Sequence, residues 1–383
     1  MPINYINLQP QIKDYCEQSK SAYESRALKI DRALELLHRC ADEISSGTLQ
    51  NISTLSSPHF KNRCARPDKE CIDQSFDINQ KDQYVLLASD GSQITSSHHD
   101  ALPISLINIS GIFYEPNSRR APEIQVFSEF IRNAENDISL DIISEDLVNL
   151  TRDVAEAGML AGWHSETKLP IITISDGPLE LFHAPRTSAD HQQLFQKYLI
   201  TLEKIHKERK ILGGYIDKPR ANLVIRMLEI VYQSITGLDL VGVSDADIFL
   251  RLLEPGNRSA IFQLNSPSSN NYTGPLALHF FYLNVGRKDK PWIVRVEINK
   301  WTADNIINVC LLHQALLDQC RLMGSQPYPY ILHRAHEEAV VHFDEKEKLT
   351  TLLSFFLQQS GVKIGSKSYK SSAKELQNRT RMK

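Results

Sequence analysis

The sequence predicts an α/β protein with a mixed β-sheet core and helical additions at both ends. Two short, continuous apolar runs, at 84–89 and 170–175, have the pattern of strands that are buried on both faces. Each run stops at an Asp-Gly pair, which is a common turn signal. Two more strand candidates and one helix lie between the runs, and this order of elements decides the predicted topology.

The chain opens with a predicted helix. Ile30, Leu34, Leu37, Ala41 and Ile44 recur at steps of four, three, four and three residues, which places them on one apolar stripe. The stripe must pack on another surface, either the rest of the chain or a second subunit. The segment that follows, 46–82, is rich in Ser, Asn and charged residues and has no clear period, which predicts a connector.

The predicted core begins with the strand at 84–89. Strand candidates follow at 104–114 and 123–131, and their short connections predict antiparallel pairing. A helix is predicted from Ser144 to Trp163, and the strand at 170–175 then runs parallel to the first strand. A meander of three strands, a helix and a parallel strand form the opening of the ribonuclease H-like fold.

The second half of the chain continues with helices and strands. Helices are predicted at 190–210, 303–323 and 336–358, a strand leading into a helix at 213–232, and a late pair of strands at 277–285 and 292–298. We predict three regions: an N-terminal helical segment and connector at 1–82, a ribonuclease H-like core at 83–342, and a C-terminal helix with a basic tail at 343–383.

The composition excludes several classes of protein. The 383 residues include 43 Lys and Arg against 46 Asp and Glu, so the net charge is −3, which excludes a globally basic nucleic-acid coat. No apolar run approaches the roughly 18 residues of a membrane helix, and the N-terminus lacks the pattern of a secretory signal. The six cysteines contain no CxxC pair and no zinc spacing. We therefore expect a soluble, cytoplasmic protein without a membrane partner.

Two aspartates follow the two buried strands. Asp90 ends the first apolar run, and Asp176 ends the second. If the strands lie side by side and parallel, both aspartates reach the carboxyl edge of the sheet, where the ligands of α/β sheets bind. A turn explains either aspartate alone, but the coincidence of both after matched strands favours a functional pair.

Glu156 adds a third carboxylate. It is the only charged residue among ten otherwise apolar or small residues at 154–163. A carboxylate in such surroundings is costly unless it is paired with a cation or binds a metal ion. Both explanations stay open, because Arg152 lies four residues earlier and offers an ion pair.

Three carboxylates at one edge would repel one another unless a cation neutralised them. A divalent metal ion meets this requirement, and two such ions about 4 Å apart can activate a water and stabilise the leaving oxygen in phosphodiester hydrolysis. His336, in the stretch HRAHEEAVV, would add an imidazole, which favours manganese over magnesium. A lone histidine is, however, more often structural.

Other candidates carry weaker signals. Lys218 and Arg220 follow an apolar strand and could face phosphate oxygens, although a solvated turn also explains them. Asp245 belongs to an Asp-x-Asp pair of a common kind, and a salt bridge with Arg295 explains Glu297. The glycine-rich nucleotide-binding motifs and the GxSxG motif of serine hydrolases are absent.

Several of these stretches, taken in order, resemble the NurA nuclease family. The matching pieces are SDGSQI with HHDALPISLINI behind it, ISDGPLEL, GYIDKPRANLV, RVEI and YPYILHRAHEEAV. They span roughly residues 84–342, and together they are far more specific than a single Asp-Gly-Ser. The chain departs from the simplest pattern at Pro178, where a second Asp-Gly-Ser would have serine, and in its extended N-terminal segment. Neither change removes an expected metal ligand.

The resemblance implies a ribonuclease H-like core, a homodimer and hydrolysis of DNA. It implies that Asp90, Glu156, Asp176 and His336 hold the metal ions, with Mn²⁺ as the cofactor or Mg²⁺ in its place. It also implies a 5′–3′ exonuclease with endonuclease action on single strands. The expected partner is HerA, a hexameric DNA-translocating ATPase, in the processing of DNA ends for recombination.

Two alternatives stay open. One is a scaffold that guides DNA for a translocase and whose carboxylates are structural; the other is a ribonuclease H-like hydrolase that acts on RNA. The slightly acidic net charge is the main objection to an enzyme that grips DNA. A ring-shaped partner would answer it, and so would a channel in a dimer, lined by Lys218, Arg220 and parts of 204–210.

Overall fold

The computed structural model describes residues 3–49, 63–78, 82–95, 104–116, 118, 120–131, 143–181 and 188–361. The chain divides into two compact units, and each unit combines two separate stretches of sequence. The first unit comprises Met1–Gln80 and Tyr215–Leu317, and the second comprises Lys81–Gly214 and Asp318–Lys383. The predicted basic tail and residues 98–103 of the motif HHDALPISLINI lie outside the described residues.

The elements alternate along the chain much as the sequence predicts. The strands are β1 (Cys64–Pro67), β2 (Ser75–Phe76), β3 (Val85–Ile94), β4 (Leu106–Tyr114), β5 (Glu123–Phe130), β6 (Ile171–Asp176), β7 (Ile211–Ile216), β8 (Arg258–Ser259), β9 (Phe262–Asn265), β10 (Leu278–Asn284) and β11 (Ile293–Asn299). The helices are α1 (Tyr5–Ser45), α2 (Glu145–Gly162), α3 (Ala189–Lys207), α4 (Leu223–Val231), α5 (Asp245–Leu252), α6 (Lys300–Ala303), α7 (Ile306–Leu322), α8 (Tyr330–Ala339) and α9 (Phe343–Gln359). Within the described residues, none of these helices is long and apolar enough to cross a membrane.

The second unit contains the predicted meander and crossover. β3 pairs antiparallel with β4, and β4 pairs antiparallel with β5. After α2, the chain returns as β6, which pairs parallel with β3 from Val85 beside Ile171 to Ser89 beside Ser175. The predicted order of strands and the parallel pairing are confirmed, and with them the ribonuclease H-like opening.

β3 is longer than the apolar run that predicts it. The strand does not turn at Asp90-Gly91 but continues to Ile94, because β4 pairs with it along its whole length, including Asp90 beside Ser110 and Gly91 beside Ile109. The predicted turn at this Asp-Gly pair is therefore wrong. Asp90 is a strand residue, so the two-residue alternation of the strand decides which way its side chain points.

Two helices pack against β3 and β4 in the second unit, and the alternation places them on opposite faces. Toward α2, the hydroxyl of Ser89 donates to the carbonyl oxygen of Glu156. On the other face, the hydroxyl of Ser92 donates to the carbonyl oxygen of Ala339 at the end of α8. The amide of Asn108 on β4 donates to the same oxygen, at 2.8 Å. Side chains of β3 and β4 thus bond to the backbone of both helices, which fixes α2 on one face of the sheet and α8 on the other.

The predicted helix at 336–358 is two helices. α8 ends at Ala339, and the backbone at Val340 leaves the helical conformation. His342 then caps α9 in a reciprocal pattern with Glu345, which accepts the backbone N–H of His342 at 2.8 Å. A capping box of this kind starts a new helix, and the apolar spacing alone does not show the break.

The first unit contains a second group of antiparallel strands. β10 pairs with β11 and β9, and β9 pairs with β1. The predicted late pair of strands is thus confirmed, whereas the segment predicted as a connector contains β1 and β2. Glu70, between these two strands, accepts two hydrogen bonds at 2.7 Å from the guanidinium of Arg258, which is buried. This bidentate ion pair ties the segment to β8.

The apolar stripe of the first helix packs on the same chain. Leu37 and Ala41 of the stripe are buried, whereas its other members, Ile30, Leu34 and Ile44, are half-buried. The buried face of α1 also includes Ala33, Leu36 and Cys40, and the helix contacts α4 and α5. The N-terminal half of α1 differs, because its large apolar side chains are mostly exposed. The stripe therefore finds its partner within the first unit.

Candidate active site

The candidate site lies in the second unit, where β3 runs past the end of β6. Asp90 stands on β3 at this point, and its side chain is only 13% exposed. Its Oδ2 accepts a hydrogen bond of 2.7 Å from Nδ1 of His336 on α8. Because Nδ1 carries the proton in this bond, the neutral imidazole keeps its lone pair on Nε2. The two residues are separated by 246 positions in the sequence, and the fold brings them into contact.

Asp176 is the last residue of β6. The paired register of β3 and β6 ends with Ser89 beside Ser175, so Asp90 and Asp176 are the next residues on neighbouring parallel strands. Gly177 follows in a left-handed conformation with φ at 88°, which a glycine adopts without strain. The chain turns away there, and Asp176 stays at the carboxyl edge of the sheet.

Glu156 approaches the same length of β3 from α2, on the face of the sheet opposite to His336. Ser144 caps the start of this helix by accepting the N–H of Leu147 at 3.3 Å, and Lys210 caps its end. The buried ammonium of Lys210 donates to the carbonyl oxygens of Leu160, Ala161 and Trp163 at 3.0, 3.3 and 2.8 Å. A cation at the C-terminus of a helix is favourable, and the two caps fix where Glu156 lies.

Gly91 makes room for the Glu156 carboxylate. A Cβ at position 91 would lie 2.6 Å from Oε1 of Glu156, and 2.7 Å and 2.8 Å from side-chain atoms of Ile109 and Arg152. No side chain other than hydrogen fits at this distance. The glycine of the Asp-Gly pair is therefore required for the close approach of Glu156 to β3, next to Asp90.

The surroundings of Glu156 disfavour its charge. Burial raises the pKa of Glu156 well above its ordinary range, and the neighbouring carboxylates of Asp153, Asp90 and Asp176 raise it further. Arg152 alone among the named neighbours lowers it. These influences place all three aspartates within electrostatic reach of Glu156, as the sequence predicts for two of them.

Arg152 forms an ion pair with Glu156, which the sequence analysis left open as the alternative to a metal ion. Its Nε lies 3.2 Å from Oε1 of Glu156, but this N–H makes no hydrogen bond with any described residue. The terminal nitrogens bond elsewhere, to Oδ1 of Asp153 at 3.0 Å and to Oε1 of Gln93 at 3.1 Å. The ion pair is present, but it does not satisfy Glu156 by a hydrogen bond from Nε.

A cavity of about 320 Å³ opens beside these residues. Among the described residues, Arg152, Asp153, Glu156 and Asp176 line its polar end. Its other walls are mostly apolar and come from α2, β6, α3, β7 and the segment after Asp176, which adds the buried side chain of Glu180. The carboxylates thus border a space that is large enough for part of a substrate.

Asp153 is a site residue that the sequence analysis missed. Its side chain is 22% exposed, it lines the cavity, and it raises the pKa of Glu156. The signal was available, because residues three apart on a helix share a face, and Asp153 precedes Glu156 by three positions. Gln93, which holds Arg152, carried no signal, since its role depends on β3 continuing beyond the Asp-Gly pair.

The remaining candidates lie elsewhere. Lys218 and Arg220 are exposed residues of the first unit, where the Lys218 ammonium lies 6.0 Å from the centre of the Trp292 ring. Lys210, in the basic stretch 204–210, is buried as the cap of α2, so it is wrong to count it as lining a DNA channel. Glu297 pairs with Arg295 at 2.8 Å, as the sequence predicts.

The four predicted metal ligands form a donor set that suits a divalent cation. Three carboxylates and an imidazole nitrogen are hard or intermediate ligands of the kind that Mn²⁺ and Mg²⁺ bind. As placed, however, no three Asp, Glu, His or Cys side chains of the described residues are arranged as metal ligands. His336 is turned to Asp90, and Arg152 to Glu156, so the donors are engaged with one another. Among the described residues, several carboxylates and one guanidinium, that of Arg152, surround Glu156. A divalent cation would therefore be a better partner for this cluster than Arg152 is.

Comparisons with known proteins bear on the family and the fold of the chain. The NurA domain family matches residues 84–341, a span that contains all four candidate ligands. Among curated proteins, no sequence matches the chain. Among solved structures, the NurA nuclease of Sulfolobus solfataricus is similar in fold with a TM-score of 0.50, at 13% identity over 75% of this chain and 88% of that one.

Two endonuclease V structures also match, with lower scores. The Bacillus subtilis enzyme has a TM-score of 0.33 at 14% identity, covering 72% of this chain and 83% of its own. The Ciona intestinalis enzyme, in complex with a DNA that contains inosine, has a TM-score of 0.29 at 11% identity, covering 70% of this chain and 87% of its own.

Proposed function

The chain belongs to the NurA family of nucleases, and from that membership we propose that it hydrolyses DNA with the help of divalent metal ions. One observation carries the proposal: Glu156 is buried among three aspartates, and its nearest cation makes no hydrogen bond to it through Nε. A chain that keeps such a cluster through folding gives up stability. A ligand that binds the cluster explains why it is retained.

Asp90, Glu156, Asp176 and His336 would hold the metal ions, and Asp153 is a further candidate. Manganese is the expected ion because His336 adds a nitrogen donor, and magnesium would bind the carboxylates alone. When bound, such ions activate a water for attack on the phosphodiester and stabilise the leaving oxygen. The side chains themselves supply everything else that the proposal requires.

The residues of the chain position these groups before substrate arrives. His336 orients the Asp90 carboxylate through its Nδ1–H and keeps a lone pair on Nε2. Gly91 admits the Glu156 carboxylate to the edge of β3, and the Lys210 ammonium holds the end of the helix that carries it. Preorganised ligands on rigid elements lower the cost of arranging the site during reaction.

The finer activity rests on family membership. We propose a 5′–3′ exonuclease with endonuclease action on single strands, which works with a HerA-like hexameric ATPase on DNA ends. A translocase that holds the DNA would explain how a chain of net charge −3 acts on a polyanion. Cleavage of duplex DNA should then accelerate when the ATPase is present and hydrolyses ATP; no binding and no change in rate would contradict the pairing.

We also propose a homodimer in the cytoplasm. α9 has no buried residue, and its Phe343, Leu352, Phe355 and Phe356 side chains are more than half exposed. Contiguous apolar surface of this kind supports assembly with another chain. The six cysteines are all unpaired, which supports a reducing compartment. Light scattering should give about twice 43.6 kDa; an active monomer at micromolar concentration would contradict the dimer.

The decisive experiment compares substrates and metals. The purified chain is incubated with end-labelled single- and double-stranded DNA and RNA, in Mn²⁺, Mg²⁺ or EDTA, beside an Asp90→Asn preparation made in the same way. We expect cleavage of DNA in Mn²⁺, less in Mg²⁺, and none in EDTA or with the variant. Cleavage of RNA alone would indicate an RNA-directed hydrolase, and no cleavage of any substrate would indicate a DNA-guiding scaffold.

A further inference from the structure

Arg152 occupies an unusual position in the candidate site. Among the described side chains that line the cavity, it is the only one with a positive charge, and it stands between Asp153 and Glu156. The charges of Glu156, Asp153 and Asp90 all favour its ionised form. Arg152 therefore neutralises the carboxylates in the metal-free chain, which is the task that the proposed metal ions would take over.

Arg152 contacts Glu156 without a hydrogen bond, although Glu156 is the carboxylate whose charge most favours the ionised form of Arg152. The two terminal nitrogens hold Asp153 and Gln93 by hydrogen bonds, whereas Nε faces Glu156 at 3.2 Å without one. A charged contact that lacks a hydrogen bond is held by Coulomb attraction alone. A cation with a higher charge can replace such a contact without breaking a hydrogen bond at Glu156.

We propose that Arg152 is the resident counter-ion of the carboxylates and that a divalent metal ion displaces it toward a phosphate oxygen of the DNA. The proposal rests on the metal-dependent function proposed above. It assigns Arg152 two successive partners: the Glu156 carboxylate before the metal ion binds, and the substrate afterwards. No covalent bond is made or broken in this exchange, and no proton moves.

Three physical arguments support the exchange. A guanidinium and a divalent ion repel each other, so both cannot stay against the same carboxylate oxygen. The Arg152 side chain is 30% exposed and borders the cavity, so it has room to change its direction. A planar guanidinium with several N–H groups matches the oxygens of a phosphate, which makes arginine a frequent phosphate ligand.

Two variants and one control separate charge from shape. Arg152→Gln removes the charge and keeps a polar side chain of moderate length, and Arg152→Lys keeps the charge but lacks the planar fork of N–H groups of a guanidinium. Lys168→Gln is the control, because Lys168 is an exposed residue of the same unit and lies just before β6, at the end of the sheet opposite to Asp176. It changes the net charge equally, at a distance from the carboxylates.

The first measurement is Mn²⁺ binding without DNA, by calorimetry. We expect Arg152→Gln to bind Mn²⁺ at least about threefold more tightly than the unaltered chain, because a competing cation is gone. Lys168→Gln should bind Mn²⁺ as the unaltered chain does, and the affinity of Arg152→Lys should lie between the two. In EDTA, the melting temperature of Arg152→Gln should fall by a few degrees, and saturating Mn²⁺ should remove this deficit.

The second measurement is DNA binding, with a fluorescent single strand in EDTA and in Ca²⁺ as a metal that permits binding. We expect Arg152→Gln to weaken binding about tenfold in Ca²⁺ and by less than about twofold in EDTA, since Arg152 reaches the phosphate only after a metal ion releases it. An equal loss in both conditions would overturn the proposal, because it would make Arg152 a constant phosphate contact.

The outcomes distinguish this proposal from the function on which it rests. If the unaltered chain binds Mn²⁺ and Arg152→Gln binds it equally or more weakly, Arg152 orients Glu156 for the metal, and the exchange is wrong while the function stands. If the unaltered chain binds no Mn²⁺, the metal-dependent function fails, and the exchange fails with it. Tighter Mn²⁺ binding by Arg152→Gln, together with metal-dependent loss of DNA affinity, supports the exchange.

Discussion

The two units of the molecule each bury a carboxylate, and they surround it in opposite ways. In the first unit, Asp245 is fully buried and accepts the backbone N–H groups of Val224 and Ile225 at 3.0 Å and the phenol O–H of Tyr282 at 2.6 Å. In the second unit, Glu156 is 7% exposed. Its neighbours are three other carboxylates and a guanidinium whose Nε–H does not bond to it.

The effect on the two pKa values shows the difference. Burial raises the pKa of Asp245 to about 6, while Tyr282 and the backbone N–H groups of Ile225 and Val224 oppose the rise. Burial raises the pKa of Glu156 as well, but there Asp153, Asp90 and Asp176 add to the rise. Hydrogen bonds satisfy Asp245, which has the structural task of starting α4. Like charges instead make the ionised form of Glu156 costly, which is typical of residues at functional sites.

One ion pair in each unit shows the same contrast in hydrogen bonding. Arg295 donates a hydrogen bond of 2.8 Å to Glu297, two residues along β11, and Glu297 is fully buried. Arg152 and Glu156 approach to 3.2 Å without a hydrogen bond at Nε. A buried ion pair is stable when its geometry is good. The Arg295–Glu297 pair meets that condition. The Arg152–Glu156 pair does not, and in the proposed exchange a metal ion replaces it.

The largest expected effect is that of Asp90→Asn on activity. The variant keeps the shape of the side chain but removes a charge that the metal ions need, so we expect cleavage to fall at least ~10³-fold, which requires ~4 kcal/mol of lost stabilisation. The melting temperature in EDTA should hold or rise. The matched control, Asp146→Asn at an exposed position in the first turn of α2, should retain activity. Near-normal cleavage by Asp90→Asn with earlier unfolding would instead make Asp90 a structural residue.

Asp245→Ala should have the opposite profile. It leaves two buried N–H groups and a buried phenol without their acceptor, so we expect a loss of about 3 kcal/mol in the free energy of unfolding by urea titration. Mn²⁺ binding by the folded fraction should be unchanged. Asp289→Ala, at an exposed position, is the control and should be neutral. If Asp245→Ala abolishes Mn²⁺ binding while the chain stays folded, the contrast between the two carboxylates is wrong.

Gly91→Ala tests the space beside Glu156. The new Cβ would displace the carboxylate from its place next to Asp90, so we expect about a tenfold loss in Mn²⁺ affinity, equivalent to about 1.4 kcal/mol. Gly158→Ala is the matched control, because nothing lies within 4 Å of a Cβ there, and alanine favours a helix. Equal Mn²⁺ affinity in Gly91→Ala and in the unaltered chain would show that Glu156 does not bind the metal ion.

Glu156→Gln tests the unfavourable charge through pH. The pKa of Glu156 is raised in the folded, metal-free chain, so the folded state holds this proton more tightly than the unfolded state. The resulting stability is complete below the ordinary pKa of glutamate and is lost as pH rises through the raised value. Glutamine stays neutral at every pH. The free energy of unfolding of the variant should therefore rise relative to that of the unaltered chain as pH increases, by about 1.4 kcal/mol for each unit of the pKa shift.

The measurement is the melting temperature in EDTA between about pH 4 and 9. Saturating Mn²⁺ should reverse the order of the two chains, because glutamine is a poor metal ligand. Parallel curves for the two proteins at every pH would mean that Arg152 satisfies Glu156 fully.

His336→Ala should give the smallest effect. One ligand of several is lost, and Asp90 loses a hydrogen bond, so we expect cleavage to fall about tenfold and to recover in part at higher Mn²⁺. His333→Ala, on the same helix, is the control, since His333 pairs with Glu337 instead. Full activity of His336→Ala at limiting Mn²⁺ would remove His336 from the site.

Local patterns predicted the elements well and their ends poorly. The continuous apolar runs found β3 and β6, because a strand that is buried on both faces has to be apolar at every position. The same patterns placed a turn at Asp90-Gly91, where β3 continues to Ile94. An Asp-Gly pair looks the same in a turn and in a strand. The difference lies in β4, which supplies hydrogen bonds along the whole of β3.

The sequence by itself determined which carboxylates are unusual. Asp90 and Asp176 follow matched apolar runs, and Glu156 interrupts an apolar helix. The burial of Glu156 and the partial burial of Asp90 follow from the cost of exposing their apolar neighbours, whereas Asp176 at the end of β6 is exposed. Only the tertiary structure decided which groups contact these carboxylates. The His336–Asp90 hydrogen bond, the space that Gly91 leaves for Glu156 and the incomplete ion pair with Arg152 each depend on distances between elements that are far apart in the chain. Hydrophobic burial is nearly independent of direction and can be inferred from composition along the chain, whereas hydrogen bonds and close contacts depend on geometry that only the packed fold provides.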